Sequence, residues 1–261
     1  MYSDQEQPPP TQPPAYMPPT QRVKFEFISE AFQLLQKQLG TWVATALIAV
    51  TAIGLTLAPF YGMLVALLLR RGEGMNPGAL ISSLLIAVLG MILLSGLISG
   101  GLQSMALKQL RGQTLRVSDL FGTFSRLGPV LALMSFIGLV SGLVSGILNT
   151  LLTQILGDFS RLVSSLPGAI LQALFCLALP LVLDQKLGPI AAMNESVRLI
   201  KSELWIAVAF VLVTTMISFA GFFACGLGVL FTMPLHAICI ALLYRSFFPE
   251  RFNQTETQEG S

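Results

Sequence analysis

Six long apolar runs alternate with short polar connections along this chain. The runs are Thr41–Leu69, Ala79–Leu107, Gly128–Leu156, Leu162–Leu183, Leu204–Ala224 and Gly226–Tyr244. Each approaches or exceeds the roughly 20 apolar residues that one helix needs to cross a bilayer. None of the six contains Asp, Glu, Lys or Arg. A charge at the bilayer centre costs about 2.5–3.5 kcal/mol or more, so a lipid-facing helix excludes it. The pattern predicts an all-α, polytopic membrane helix bundle with six transmembrane helices. At about 1.5 Å per residue the first three runs reach on the order of 42 Å, so they tilt or project beyond the hydrocarbon. Only Cys225-Gly226 separates the last two runs, which makes that turn tight.

A second periodicity precedes the odd-numbered runs. The segments FISEAFQLLQKQLGTW, RVSDLFGTFSRLGPV and AMNESVRLIKSELW each place a small polar residue before an acid: Ser29-Glu30, Ser118-Asp119 and Asn194-Glu195. Apolar residues then recur at helical spacing. They are Ile28, Phe32, Leu35 and Leu39; Val117, Phe121 and Phe124; and Met193, Val197, Ile200 and Leu204. Residues 107–124 also align with 183–200 without a gap, matching Leu107 with Leu183, Gln109 with Gln185 and Gly112 with Gly188. The expected architecture is three hairpins, 41–107, 128–183 and 204–244. Each is led by a short cytoplasmic amphipathic helix lying at the acyl boundary. The competing reading makes each leader the end of a long span. Ser118 suits an N-cap. Gly188-Pro189 looks like the start of the third leader, with Pro at the first helical position and Asn194 in mid-helix.

Composition agrees with the pattern. Of 261 residues, 54% are hydrophobic and 11% charged, against about 25% charged in soluble domains. Mean hydropathy is +0.75. Three regions follow: residues 1–24, a disordered cytoplasmic tail; 25–248, the transmembrane domain; and 249–261, a second disordered cytoplasmic tail. Seven prolines among residues 1–21 give the first tail polyproline II character. That segment has no basic start and no apolar core, so it is not read as a signal peptide.

The net charge of +2 says little; the distribution of bases says more. With the N-terminus inside, twelve of the fifteen Lys and Arg fall on the cytoplasmic side, leaving Arg70, Arg71 and Arg161 outside. The positive-inside rule therefore puts both termini in the cytoplasm. No clustered basic surface suggests nucleic acid. Cys176, Cys225 and Cys239 lie in or beside spans, where apolar packing is their expected use.

The segments ALKQLRGQTLRVSDLF, PLVLDQKLGPIAAMNESVRLIKSELW and GLGVLFTMPLHAICIALLYRSFF carry a resemblance. Over roughly residues 25–248 the chain resembles a broad superfamily of bacterial six-span inner-membrane proteins. That group includes YciC-like proteins and the membrane domain attached to some glycerophosphodiester phosphodiesterases. The resemblance implies a fold and a place in the bacterial inner (plasma) membrane. It brings no catalytic residue. The phosphodiesterase domain has no counterpart here, so that activity is not carried over.

Few residues invite a chemical role. Gly138, Gly142 and Gly146 form a small-residue stripe in the third run, and Gly96 and Gly100 form one in the second. Such stripes let helices approach closely. The expectation is packing within the monomer; a dimer face is the other use. His236 is the only histidine and lies mid-span. With no acid in the spans, a neutral hydrogen-bonded imidazole between helices is expected rather than a proton relay. Pro59, Pro180 and Pro234 are expected to bend their helices. Asn149, Gln103, Gln154 and Gln172 are the remaining notable polar residues in the spans. Gln103 and Gln154, near span ends, are expected to meet water. No phosphate-binding glycine loop or nucleophile elbow occurs.

No cofactor or metal site is expected. The leading reading is a non-enzymatic membrane protein that organises or partners other membrane components or lipids. The alternative is a transporter or channel for a small uncharged or lipid-like solute. A dry, close-packed core favours the first; a polar-lined cavity at mid-membrane favours the second.

Overall fold

The structure is a computed structural model, and it describes residues 22–69, 77–223 and 228–253. Those residues form helices and no strand. Six helical stretches are long and apolar enough to cross a membrane. The first tail up to Gln21, the Arg70–Asn76 connection, the Cys225-Gly226 turn and the last eight residues lie outside the described residues.

The first hairpin joins α2 (Leu39–Leu69) to α3 (Pro77–Leu110), after the leader α1 (Glu26–Lys37). The second leader, Val117–Arg126, is a 3₁₀ segment, followed by α4 (Leu127–Leu156) and α5 (Ser160–Leu174). The fourth span then breaks and resumes as α6 (Ala178–Asp184). The third leader α7 (Pro189–Ile200) precedes α8 (Leu204–Phe223) and α9 (Val229–Phe247), and a short turn α10 (Glu250–Asn253) ends the described chain. Within the region expected to be a tail from residue 249, Glu250–Asn253 form α10 and Phe252 is buried.

The spans close into a ring in the order α2, α3, α4, α5, α8, α9 and back to α2, while α3 also meets α9 across it. The leaders follow a cyclic rule. The 3₁₀ segment packs on α3, α7 packs on α6, and α1 packs on α9. Each leader therefore seats on the closing helix of the hairpin before it, with α1 completing the circle. Ion pairs reinforce two of the three seats. Asp119 meets Lys108 at 2.7 Å, and Glu30 meets Arg245 at 2.6 Å. At the third seat the closing helix ends in an acid, Asp184, and Glu195 turns to its own Arg198 at 2.7 Å. These contacts gather the leaders and the connecting charges at one end of the bundle, here termed the charged end.

The leaders correct the expected stripes. In α1 the buried residues are Phe27, Ala31 and Leu35, whereas Phe32 is 52% exposed and Leu39 is exposed too. In the second leader Leu120 and Thr123 are buried, while Phe121 and Phe124 stack outside with ring centres 6.1 Å apart. The tighter 3₁₀ winding accounts for the second shift, because it moves each side chain by about 120° instead of 100°. Its start is held by the Asp119 carboxylate, which accepts from the Arg116 N–H at 2.9 Å, so Ser118 is not the cap. In α7 the buried residues include Met193 and Ile200, and Gly188-Pro189 opens the helix as expected.

Two networks lock the charged end. The Gln109 side chain accepts from Trp42 Nε1 at 2.9 Å and donates to the Leu34 carbonyl at 2.6 Å. Asp184 is paired with Arg111 and with Arg251 at 3.2 Å, and accepts from the Tyr244 hydroxyl at 2.7 Å. The Arg111 guanidinium also lies over the Phe252 ring, 5.5 Å from its centre. The end of the second hairpin, the last span and the segment after it are thereby clamped together.

The prolines behave unequally. Pro59 and Pro234 sit inside α2 and α9, which continue as helix past them. Among the described residues only the fourth span is interrupted, at Phe175–Leu177. Pro180 has no N–H for the Cys176 carbonyl four residues back, which weakens that turn. Ser196 of α7 occupies the gap. Its hydroxyl donates to the Leu174 carbonyl at 2.6 Å and accepts from the Leu177 N–H at 3.3 Å. Irregular backbone at membrane depth is tolerated where protein covers it, and Ser196 supplies that cover.

Candidate functional site

The ring does not fill its own centre. A cavity of about 590 Å³ lies between α3, α4, α5, α8 and α9, with the break before α6 forming part of its wall. Helix α2 contributes nothing to it. The apolar wall includes Ile98, Leu102, Met134, Ile137, Phe175, Leu179, Val211, Met233 and Ile240. The polar wall is Ser99, Gln103, Ser141, Gln172, Ser218 and His236. This composition, mostly apolar with a few convergent polar groups, is that of a small-molecule site, and the volume lies within the usual range of about 300–1,000 Å³.

Two of the polar residues are held in an unusual state. Gln103 is only 3% exposed, yet its Nε2 has no hydrogen-bond partner. His236, near the middle of α9, is mostly buried, and its Nδ1 likewise has none. Leaving a buried polar group unpaired costs about 1–3 kcal/mol. In a bilayer core there is no bulk water to relieve it. The expectation of a hydrogen-bonded His236 is not met at Nδ1, for which the described residues offer no partner. Gln103 was expected at the water boundary. It lies seven residues inside the end of α3, about 10 Å deep, and ring closure turns it inward.

The remaining candidates divide by position. Gly96 and Gly100 are closed over by neighbours: a Cβ there would meet Leu131 or Thr123. Gly138 borders the cavity, and a Cβ on it would meet nothing within 4 Å. Gly142 and Gly146 also meet nothing; they line a shallow outer groove with Thr150 and Leu151. Among the described residues, the expected close packing of another helix on this stripe is not found. Asn149 links α4 to the start of α5, accepting from the Ser160 hydroxyl at 3.1 Å. Pro234 is buried in α9 two residues before His236, while Pro59 lies in α2, away from the cavity. Pro180 acts on the cavity only through the break, whose Phe175 and Cys176 line it.

Sequence reasoning missed two contributors. Ser196 looked like one more polar residue on an amphipathic helix, and nothing in its spacing marks it as the cover for a broken turn. Gly101 was overlooked beside Gly100. Yet a Cβ on Gly101 would run into the Leu120 carbonyl oxygen, so the approach of the second leader to α3 depends on it. Comparison of the chain with protein-family models, with curated proteins and with solved structures finds no match.

Proposed function

We propose that this multi-pass membrane protein holds a small uncharged or lipid-like molecule inside its helical ring and presents it or moves it within the membrane. The proposed setting is a bacterial inner membrane with both termini cytoplasmic. Orientation rests on the asymmetry of basic residues, and the choice of membrane on the resemblance to bacterial six-span proteins. The observation that carries the reading is a 590 Å³ cavity whose mostly apolar wall includes Ser99, Gln103, Ser141, Gln172, Ser218 and His236.

Gly138→Leu tests this. The new side chain starts from the cavity wall at a point where a Cβ meets no described atom within 4 Å. Native mass spectrometry of the wild-type protein, released from its membrane in mild detergent, is expected to show a bound neutral species. The variant is expected to lose that species while unfolding at a similar temperature. An empty wild-type protein, or equal loading of the two, would reject the proposal.

A second reading draws on a different observation. Phe32, Phe121, Phe124 and Trp205 are exposed at the charged end, among Lys37, Arg116, Arg198 and Lys201. Such an aromatic and basic collar suits the acyl–headgroup boundary. It supports an organising role towards membrane lipids or a membrane protein partner, and the cavity reading can hold alongside it.

A further inference from the structure

We infer that the cavity is entered sideways from the lipid, through a mouth between α3 and α4 at Gly138, and that the part of the guest that enters is the acyl chain of a membrane lipid, tail end first. The inference rests on the cavity reading and adds the route and the chemistry of what enters.

The two sides of the cavity are built differently. Towards the charged end lies a layer of fully buried side chains: Met105 and Ala106 of α3, Leu181 and Val182 of α6, and Leu242 and Leu243 of α9. Beneath that layer Asp184, at the end of α6, binds Arg111, Arg251 and the Tyr244 hydroxyl of α9. Water at the charged end meets this packed layer before it meets the cavity. On the other side α3 and α4 carry no such layer. Between Ile81 and Ser95 of α3 only Ala87 is buried, and no residue of α4 from Met134 to Leu156 is buried. Gly138 lines the cavity and is itself exposed, so the wall is open at that point. Two turns earlier, Leu131 still lies against Gly96 of α3, so the two helices part between Leu131 and Gly138. The hairpins themselves stay closed: a Cβ on Gly90 would meet Thr56 of α2, and one on Gly168 would meet Ser145 of α4. The opening therefore falls between the first hairpin and the second.

Depth selects what passes through it. Gly138 stands eleven residues into α4, which begins at Leu127 beside Arg126. At about 1.5 Å per residue that is about 16 Å from the charged end of the helix. Half of the hydrocarbon core is about 15 Å, so the mouth lies near the bilayer midplane. Acyl chain ends stand at that depth, while headgroups stay at the two surfaces. A charged head drawn inward would find no counter-ion, because none of the six spans contains Asp, Glu, Lys or Arg. The mostly apolar wall suits a hydrocarbon chain.

The experiment uses the full chain in nanodiscs of phosphatidylcholine doped with one of two photoreactive phosphatidylcholines. One carries a diazirine at the end of an acyl chain, the other on the choline head. After irradiation, adducts are mapped by peptide mass spectrometry. The chain-end probe is expected to label Gln172, Phe175 or Met233, which line the cavity from helices other than α3 and α4. The head probe is expected to leave all three unlabelled. Gly138→Leu should lose these chain-end adducts and keep those on the exposed Leu85 and Leu89 of α3, with an unchanged unfolding temperature. If that variant does not fold, Gly138→Ala should show a smaller loss, and the contrast between the two probes on the wild type still decides. A charged, membrane-impermeant methanethiosulfonate should leave Cys176, on the cavity wall, unmodified. Equal labelling of the cavity by both probes would overturn the inference. So would chain-end adducts that persist in a folded Gly138→Leu, or modification of Cys176 from water. If the wild type carries a bound species by native mass spectrometry but no chain-end adduct in the cavity, the route falls and the cavity reading stands. If it shows no bound species and no adduct, both fall.

Discussion

Two glycine stripes in this protein share one spacing and meet opposite fates. On α3, Gly96, Gly100 and their neighbour Gly101 lie under Leu131, Thr123 and Leu120. On α4, Gly138, Gly142 and Gly146 face open space, the first towards the cavity and the other two along the outer groove. The difference is instructive because the motif permits close approach without supplying a neighbour. In water an open apolar groove would be closed by hydrophobic burial. In lipid, acyl chains solvate the groove as well as a helix would, so that drive is absent. The α3 stripe is covered because the short connection after Leu110 turns the second leader back over Gly100 and Gly101, and α4, which follows it, brings Leu131 over Gly96. Among the described residues nothing lies within 4 Å of a Cβ placed on Gly142 or Gly146.

The comparison breaks hardest at Gly101. Gly101→Leu drives a side chain into the Leu120 backbone, which cannot rotate away. The expected loss is about 3 kcal/mol, at the upper end of overpacking effects, read as early thermal unfolding in detergent. Unchanged stability would mean that the leader is not seated on α3. Gly96→Leu should cost less, about 1 kcal/mol, because the nearest atom is the movable tip of Leu131. The ratio of these two effects sharpens the claim that backbone contact rather than spacing sets the penalty. The smallest effect is expected at Gly142→Leu, within about 0.5 kcal/mol, as for a surface substitution. A large loss there, accompanied by a change in particle mass on size exclusion, would show that the groove has a protein neighbour.

Some of this was legible in the residues. The helix expected at Gly128–Leu156 runs from Leu127 to Leu156, because apolar length and charge exclusion are properties of the segment itself. The leaders were legible as short amphipathic elements, but not which face turns inward. Each carries apolar residues on more than one side, and Phe32, Phe121 and Phe124 ended outside. The prolines show the same limit. Pro59, Pro180 and Pro234 read alike, yet only the span with Pro180 breaks, where Ser196 from another helix meets the freed backbone groups. Gln103 was misplaced for a related reason: depth along its helix was readable, but its facing depended on how the ring closes.

By itself the sequence determined the solvent, the helical class, six spans in three hairpins, and an element at the entrance of each hairpin. These follow from hydropathy, which each segment expresses alone when it partitions between lipid and water. The tertiary structure decided the ring order, the cyclic seating of the leaders, the break at Phe175–Leu177, the covering of one glycine stripe, and the cavity where Gln103 and His236 remain unpaired. Those are properties of pairs of faces. Between faces of nearly equal apolarity hydropathy makes no choice, and the choice falls to steric fit, hydrogen-bond geometry and the reach of the connections.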